Sequence, residues 1–165
     1  MTRNSEDAVE KVLRQVNAPE QNWESVLADG AVMTKQQLQE AVDKGTTDGV
    51  EVDGRPIVIV YALGAKSGEL KRFPVMRVEH DGRYAIVASL GGAPQNPAWY
   101  YNVRANPKVE LQDGSVTLAY TAIETDGALR DEWWERAVAA YPSYAVYQSH
   151  CPRLIPVFEL TRSDD

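Results

Sequence analysis

The chain has 165 residues, of which 44% are hydrophobic and 25% are charged, and its formal net charge is -7. These values fit one globular domain with a sizeable core. The acidic balance argues against nonspecific nucleic-acid binding, although it leaves room for a local basic pocket. A single cysteine, Cys151, excludes an intramolecular disulfide, and we find neither a secretory signal nor a membrane-spanning apolar run. We therefore expect a cytoplasmic protein.

Residues 1–54 predict a helical N-terminal arm that ends in a linker. Apolar residues recur at helical spacing in residues 5–16, around Trp23, and from Thr34 to Gly45. The stretch 45–54 is polar and rich in glycine, which is typical of a linker. The arm can pack on the core, on a partner subunit or on a membrane surface. Its mixed charge favours packing on the core.

Residues 55–165 predict the main domain, which is built from short strands. Strands are predicted at 56–63, 73–79, 84–89, 108–112, 115–123 and 154–160. The pairs Asp81-Gly82 and Asp113-Gly114 are hairpin signals. A later helix is predicted at 128–140, with a further helical turn or two after Pro142. This pattern favours a mainly β (α+β) fold, an antiparallel barrel with helices outside it.

The stretch 86–102, IVASLGGAPQNPAWYYN, predicts a strand, then a glycine loop, then the start of a helix. Two adjacent glycines, Gly91 and Gly92, allow left-handed dihedrals and close approach of a ligand to backbone N–H groups. Asn96 is a good N-cap, and Pro97 suits the first helical position. Such a helix N-terminus can hold a phosphate or a carboxylate. An ordinary strand-to-helix turn is the alternative.

A second turn, residues 64–68, is surrounded by basic side chains. Lys66 and Ser67 lie in the turn, and Lys71 and Arg72 follow it. Ammonium, guanidinium and backbone N–H donors of this kind can bind a phosphate. A solvated hairpin tip is the alternative. Together with the loop at 89–92, the turn favours an anion site divided between two loops.

Three tyrosines, Tyr141, Tyr144 and Tyr147, recur at a spacing of three residues. This spacing puts them along one side of a helix, with Tyr141 at the boundary that Pro142 sets. There they can line an apolar slot for a flat ligand and offer hydroxyls to orient it. Core packing is the alternative. The two histidines and the single cysteine give no zinc-binding pattern, so we predict no metal site.

Four separated motifs resemble the deazaflavin-dependent nitroreductase family in their order and spacing: GRPIVIVYALGAKSG, PVMRVEHDG, VASLGGAPQNPAWYYN and AAYPSYAVYQ. The resemblance covers about residues 55–160. It implies an antiparallel split β-barrel of the FMN-binding type with flanking helices. It also implies reduced coenzyme F420 as the hydride donor. The anionic tail of this deazaflavin fits the basic turn.

The resemblance also implies roles for the matched residues. The tail-binding set would be Lys66, Ser67, Gly68, Lys71 and Arg72. The set along the ring and ribityl chain would be Ala88, Ser89, Gly91, Gly92, Trp99 and Asn102. The substrate-pocket residues would be Tyr141, Tyr144 and Tyr147, with Tyr144 as our expected donor to the acceptor and Ser89 as a second donor. Three positions depart from the family: Lys71 stands where the family usually has arginine, Leu90 where many members carry lysine, and Met76 where some carry an aromatic residue.

We expect an F420H2-dependent reductase that transfers a hydride to a quinone, an enone or a nitroaromatic compound. An FMN-dependent enzyme on the same barrel is one alternative. A non-catalytic F420-binding carrier is another, because Leu90 removes a cation from the tail site. The expected partners are a small-molecule acceptor, a second copy in a homodimer, and the inner face of the plasma membrane for a lipophilic quinone. No nucleic-acid partner is expected.

Overall fold

A computed structural model describes residues 35–163. The helices expected at 5–16 and around Trp23 lie outside these residues. The strands are β1 (Glu51–Val52), β2 (Arg55–Leu63), β3 (Leu70–Met76), β4 (Glu79–His80), β5 (Arg83–Val87), β6 (Lys108–Asp113), β7 (Val116–Glu124) and β8 (Val157–Arg162). The helices are α1 (Lys35–Lys44), α2 (Ala98–Ala105), α3 (Gly127–Ala140) and α4 (Ser143–His150), with a 3-10 turn at Leu90–Gly92. Helix α1 corresponds to the third predicted helix.

The strands form a single antiparallel sheet that curls on itself. Strand β2 pairs with β3 and β6, and the order continues through β7, β8 and β5 to β4. The edge strand β3 packs against β5, and Ala85 N–H donates to Val78 O at 2.9 Å near this junction. The sheet is therefore a curled, incompletely closed barrel with flanking helices. The expected antiparallel split barrel is confirmed.

Alternating side chains of the sheet face two separate cores, because successive residues of a strand point to opposite faces. On β2, Ile57 and Ile59 face a core that contains the three tyrosines and residues of α3. The intervening Val58 and Val60 face a second core, which α2 covers. The predicted tyrosines thus belong to the first core, whereas Ala88 and Trp99 of the predicted cofactor set pack in the second.

The segment at 45–54 differs from the predicted linker because it joins the sheet. Thr47 N–H donates to Gly114 O at 3.0 Å, and Thr47 Oγ1 accepts from Gly114 N–H at 2.7 Å. Val52 is 5% exposed and pairs with Arg55 across the turn made by Asp53 and the following glycine. Asp53 has a φ of 53°, as a tight hairpin turn requires. The division into two domains at residue 54 stays a prediction.

Both predicted hairpins are confirmed, at the β4–β5 and β6–β7 turns. Asp81-Gly82 makes the first turn as predicted, but the second is one residue later than predicted, because Asp113 still pairs with Val116 and the turn consists of Gly114 and Ser115. The strand predicted at 73–79 is wrong in its last residues, because β3 ends at Met76. Arg77 N–H instead donates to Pro56 O at 3.1 Å, and β4 starts as a separate strand at Glu79. The last strand begins at Val157, after Pro156, rather than at residue 154.

Candidate active site

The basic turn between β2 and β3 is closed by its own hydrogen bonds. Gly64 N–H donates to Glu69 O at 2.8 Å, and Gly68 N–H donates to Gly64 O at 3.0 Å. Ser67 Oγ accepts from Glu69 N–H at 3.1 Å. A Cβ on Gly64 would lie 2.5 Å from Ser67 Oγ, so glycine is what lets the hydroxyl fold over the turn. The turn therefore has a defined shape and presents Lys66, which is exposed, beside its tip.

The cations around this turn lie on two sides of the sheet. Lys71 runs beside the turn, since its Cε lies 3.5 Å from the position of a Cβ on Gly64. In the β2–β3 register Lys71 pairs with Ala62 and Arg72 pairs with Tyr61, so these two cations face opposite ways. The structure brings Lys71 to the turn that carries Lys66 and directs Arg72 away from it.

Ion pairing leaves much of this positive charge available. Lys71 Nζ lies 3.6 Å from Glu69 Oε2, but both side chains are more than half exposed, and such pairs contribute little stability. Within residues 35–163 neither Lys66 nor Arg72 has an ion-pair partner. The turn can therefore offer its ammonium groups to an anion at little cost in existing contacts.

Helix α2 is joined to this turn by two of the predicted cofactor residues. Ala65 N–H donates to Asn102 Oδ1 at 2.9 Å. One turn earlier on α2, Trp99 stacks on Phe73 of β3, with ring centroids 4.7 Å apart and planes 6° from parallel. The basic turn and the helix that follows the glycine loop thus form one continuous wall, although they are distant in sequence.

The glycine loop contains three consecutive left-handed residues, Leu90 (φ 45°), Gly91 (φ 65°) and Gly92 (φ 87°). Gly92 N–H donates to Ser89 O at 2.8 Å. A Cβ on Gly92 would lie 2.8 Å from Tyr147 O of α4. The close approach that we expected of a ligand at Gly92 is therefore made by the backbone of α4. The role of this loop in cofactor binding stays a prediction.

The predicted cap of α2 at Asn96 is wrong. Helix α2 begins at Ala98, and Pro97 occupies the cap position without a side-chain hydrogen bond. Pro97 is extended (φ -65°, ψ 155°), so the chain enters the helix one residue later than expected. Asn96 Oδ1 is left buried with no hydrogen-bond partner among the described residues. A buried acceptor of this kind fits a donor from a bound molecule.

Arg153, which we did not predict, holds the segment that contains the glycine loop. Its guanidinium lies within hydrogen-bond distance of the carbonyl oxygens of Ala88, Ser89, Ala93 and Gln95. Burial lowers the pKa of Arg153. No local pattern marks this arginine, because its partners lie 58 to 65 residues away in the chain.

The three predicted tyrosines are brought together inside the core rather than on an open surface. Tyr141, Tyr144 and Tyr147 are 2%, 3% and 2% exposed. The Tyr141 and Tyr147 hydroxyls lie 3.4 Å apart, and the Tyr141 hydroxyl also lies 3.4 Å from Asp53 Oδ2. The Tyr141 and Tyr144 rings meet edge to face, with centroids 5.2 Å apart. This arrangement matches the packing alternative, and an acceptor can reach Tyr144 only if the covering side chains move.

Burial raises the pKa of all three tyrosine hydroxyls. For Tyr144 a backbone hydrogen bond from Met76 acts in the opposite direction but is outweighed by burial. For Tyr147 the neighbouring Tyr141 adds to the effect of burial. The hydroxyls therefore stay protonated at neutral pH and can donate hydrogen bonds.

No group of three or more His, Cys, Asp or Glu side chains within residues 35–163 could hold a metal ion. No helix in this range is both long and apolar enough to cross a membrane.

The model of the F420H(2)-dependent quinone reductase family matches residues 33–162. This chain belongs to that family. An F420H(2)-dependent quinone reductase of Mycobacterium tuberculosis strain H37Rv is 32% identical over 132 residues, which cover 76% of this chain and 89% of the relative. The family membership confirms the expected enzyme class, an F420H2-dependent oxidoreductase, and reduced F420 as its hydride donor.

Two solved structures are similar to this chain. One, a domain-swapped dimer, is 52% identical with a TM-score of 0.64, and the match covers 77% of this chain and 96% of that chain. The other, an F420-H2 dependent reductase, is 54% identical with a TM-score of 0.62, and the match covers 65% of this chain and 95% of that chain. The family match and the F420-H2 dependent reductase structure favour the expected F420-dependent enzyme over an FMN-dependent enzyme or a non-catalytic carrier.

Proposed function

We propose that this chain reduces a quinone with hydride from reduced F420, and that it binds the cofactor along the wall formed by the basic turn and α2. One observation carries the placement: Ala65 N–H donates to Asn102 Oδ1, which joins the turn to the helix that follows the glycine loop. On this proposal the contact connects a tail site at the basic turn with a ring site at the glycine loop and α2.

The residues of the basic turn suit the anionic tail. We assign tail binding to Lys66, Ser67, Gly68 and Lys71, because Lys66 has no ion-pair partner within residues 35–163 and Lys71 lies beside the same turn. Charge-assisted hydrogen bonds to phosphate or carboxylate are among the stronger ones in proteins. Leu90 is 4% exposed and contributes no cation, so the turn must supply the positive charge. We leave Arg72 out of the set because it faces the other side of the sheet.

The ring and ribityl chain are assigned to residues of the glycine loop and α2, namely Ala88, Ser89, Gly91, Trp99 and Asn102. Gly92 is left out of this set, because the backbone of α4 occupies the space beside it. Trp99 is held rigidly by its stack on Phe73, so a bound ring would meet a preformed surface. The unpaired Asn96 Oδ1 can accept a hydrogen bond from a ring N–H. Reduced F420 supplies the hydride when bound, so the protein contributes binding, orientation and exclusion of water.

The acceptor is assigned to the tyrosine cluster. A quinone oxygen gains negative charge as it accepts a hydride, and a protonated hydroxyl can stabilise that charge. We keep Tyr144 as the proposed donor, with Ser89, Tyr141 and Tyr147 as the other candidates. Since the three tyrosines are closed in the core, this assignment requires α4 or its neighbours to shift when the acceptor binds.

Side-by-side titration with F420 and FMN tests the cofactor assignment. We expect tighter binding of F420 and a loss of affinity at high salt, because exposed charges are screened. Steady oxidation of F420H2 with added benzoquinone tests whether the chain is an enzyme. Equal or tighter binding of FMN would refute the cofactor assignment, and absence of turnover with quinone, enone and nitroaromatic acceptors would favour a carrier.

We also propose that the chain forms a homodimer. The support is a solved relative of 52% identity that is a domain-swapped dimer. Light scattering of the full chain after size exclusion measures its mass, and a mass of one chain at micromolar concentration would refute the proposal. Cytoplasmic localisation and peripheral membrane contact stay predictions.

A further inference from the structure

The guanidinium of Arg153 donates hydrogen bonds to four backbone carbonyls of one short segment. Nε donates to Ala93 O at 3.1 Å, and Nη1 donates to Ala88 O at 3.2 Å. Nη2 donates to Ser89 O at 3.1 Å and to Gln95 O at 2.9 Å. A planar guanidinium has five N–H donors in a fixed fork, so one side chain can bind several acceptors at once. A lysine ammonium at the same place could not reproduce this set.

These carbonyls flank a stretch of backbone that is costly to form. Leu90, Gly91 and Gly92 all have positive φ, and Leu90 lacks the freedom that glycine has. The internal hydrogen bonds of the turn are those from Gly92 N–H to Ser89 O and from the next residue to Leu90 O. Arg153 binds carbonyls on both sides of the left-handed run. It therefore ties the two ends of the loop to a single point.

The same bonds set the direction of the loop's N–H groups. In a planar trans peptide the C=O and the following N–H point in opposite directions. Because Arg153 engages the carbonyls of Ala88 and Ser89, the N–H groups of Ser89 and Leu90 are turned away from the guanidinium. The guanidinium therefore does not block these two N–H groups.

We infer that Arg153 is a positioning residue of the cofactor site: it fixes the backbone of residues 88–95 so that the glycine loop is preformed for the deazaflavin. This inference rests on the proposed function, which assigns the ring to this loop. Arg153 acts through the loop and is not assigned a contact with the cofactor. Binding to a loop that is already ordered costs less conformational entropy, so the clamp should appear in the affinity for F420.

The test compares Arg153→Lys with Arg77→Lys, which makes the same change at a different place. Arg77 Nε lies 2.8 Å from Asp113 Oδ2, and the same carboxylate accepts a hydrogen bond from the Tyr84 hydroxyl. Tyr84 lies near the start of β5 and the glycine loop follows the end of β5, so Arg77 is at the opposite end of this strand from the loop. Hydrogen exchange of the cofactor-free protein is measured first. We expect faster exchange in peptides covering 88–95 for Arg153→Lys and no change there for Arg77→Lys.

Fluorescence titration with F420 is measured second, with Lys66→Ala alongside. We expect Arg153→Lys to raise the Kd for F420 roughly tenfold or more, because hydrogen bonds donated by a charged group are lost. Arg77→Lys should keep this Kd within about twofold of the wild-type value. Arg153→Ala should also bind F420 more weakly than the wild type. Guanidinium ion added at millimolar concentration should restore part of the affinity that this variant loses. If Arg153→Lys does not fold, Arg153→Gln, which keeps an amide donor, replaces it.

The outcomes separate this inference from the proposed function. Wild-type protein that fails to bind F420 refutes the proposed function and the cofactor role of Arg153 with it. Weakened binding in Lys66→Ala together with unchanged binding in Arg153→Lys refutes the Arg153 role alone. Equal loss of F420 affinity in Arg153→Lys and Arg77→Lys also overturns the inference, because the effect would then be one of general stability. Unchanged hydrogen exchange at 88–95 in Arg153→Lys overturns it as well, because Arg153 would then not order the loop.

Discussion

Substitution of Gly92 by alanine tests the packing of the glycine loop against α4. Gly92 has a φ of +87°, and a Cβ there would lie 2.8 Å from Tyr147 O and 3.2 Å from Tyr147 Cα. Favourable contacts between carbon atoms lie at about 3.5–4.0 Å. The atoms that the methyl group would meet belong to the helix backbone, so they cannot rotate away as a side chain could. The loop or the helix must shift.

The expected cost has two parts that a control can separate. A left-handed φ costs a non-glycine residue about 1–2 kcal/mol. Overpacking against a rigid neighbour adds about 1–3 kcal/mol. Gly82→Ala is the matched control, since Gly82 has a φ of +78° and no atom lies within 4 Å of its Cβ position. The control should lose about 1–2 kcal/mol of the free energy of unfolding, and Gly92→Ala about 2–5 kcal/mol.

Thermal and urea unfolding of the two variants measure this difference. For a domain of this size each kcal/mol corresponds to about 2–4 °C in Tm, so Gly92→Ala should melt several degrees below Gly82→Ala. Equal Tm values would show that the contact between Gly92 and Tyr147 is absent in solution. A lower Tm for Gly92→Ala with unchanged F420 affinity would show that the contact exists but that the loop does not bind the cofactor.

Three further predictions concern the turn and the tyrosines. Lys66→Ala should weaken F420 binding by about 1.5–3 kcal/mol in a fluorescence titration, with Tm unchanged because the side chain is exposed; an unchanged Kd would make Lys66 a solvated hairpin residue. Tyr144→Phe should keep F420 affinity and slow quinone reduction by roughly tenfold to a thousandfold, whereas a wild-type rate would remove Tyr144 as the donor. Burial raises the pKa of Tyr141, Tyr144 and Tyr147, so above about pH 10 the folded chain keeps protons that the unfolded chain releases. The free energy of unfolding should therefore be unaffected by these groups below about pH 10 and should fall as the pH rises further. Urea unfolding between about pH 9 and 11 should show a shallower fall for Tyr144→Phe, and equal slopes would contradict this reasoning.

The hairpins were predictable because their signal is local. Asp81-Gly82 and Asp113-Gly114 each sit between residues with strand propensity, and both mark a hairpin. Asp81-Gly82 forms the turn that Asp-Gly favours, whereas Asp113 ends its strand and Gly114 with the following residue makes the second turn. The same signal is present at Asp53, which precedes a glycine, but its polar surroundings led to the prediction of a linker. The strand there is only two residues long, and a pattern of alternation cannot be recognised over so short a stretch.

Some positions in the candidate site follow from the periodicity of a strand or a helix, including one that we grouped wrongly. The position of Arg72 opposite to Lys71 follows from the two-residue period of a strand, a rule that our grouping of these cations did not apply. The tyrosine spacing and Pro142 predicted Tyr141 at a helix boundary, and Tyr141 is the C-cap of α3 while Tyr144 and Tyr147 lie in α4. Whether such a stripe faces a pocket or the core depends on what the sheet places beneath it.

Arg153 shows why the rest could not be read from the sequence. It lies in the connection between α4 and β8, where a single arginine carries no pattern. Its importance comes from four carbonyl groups, and every residue has a carbonyl group, so the identity of the partners leaves no trace in the chain. The pairing of β5 with β8, which brings the end of β5 next to this connection, creates the contact.

The glycine loop is held from two directions by one C-terminal stretch. The backbone of Tyr147 in α4 limits the space beside Gly92, and Arg153, three residues after α4 ends, binds the carbonyls around the same loop. The tyrosine assigned to the acceptor side therefore belongs to the element that supports the cofactor side. A shift of α4 that exposed Tyr144 to an acceptor would also move the contact at Gly92. Under the proposed assignments, access of the acceptor to Tyr144 and the conformation of the glycine loop are therefore coupled through α4.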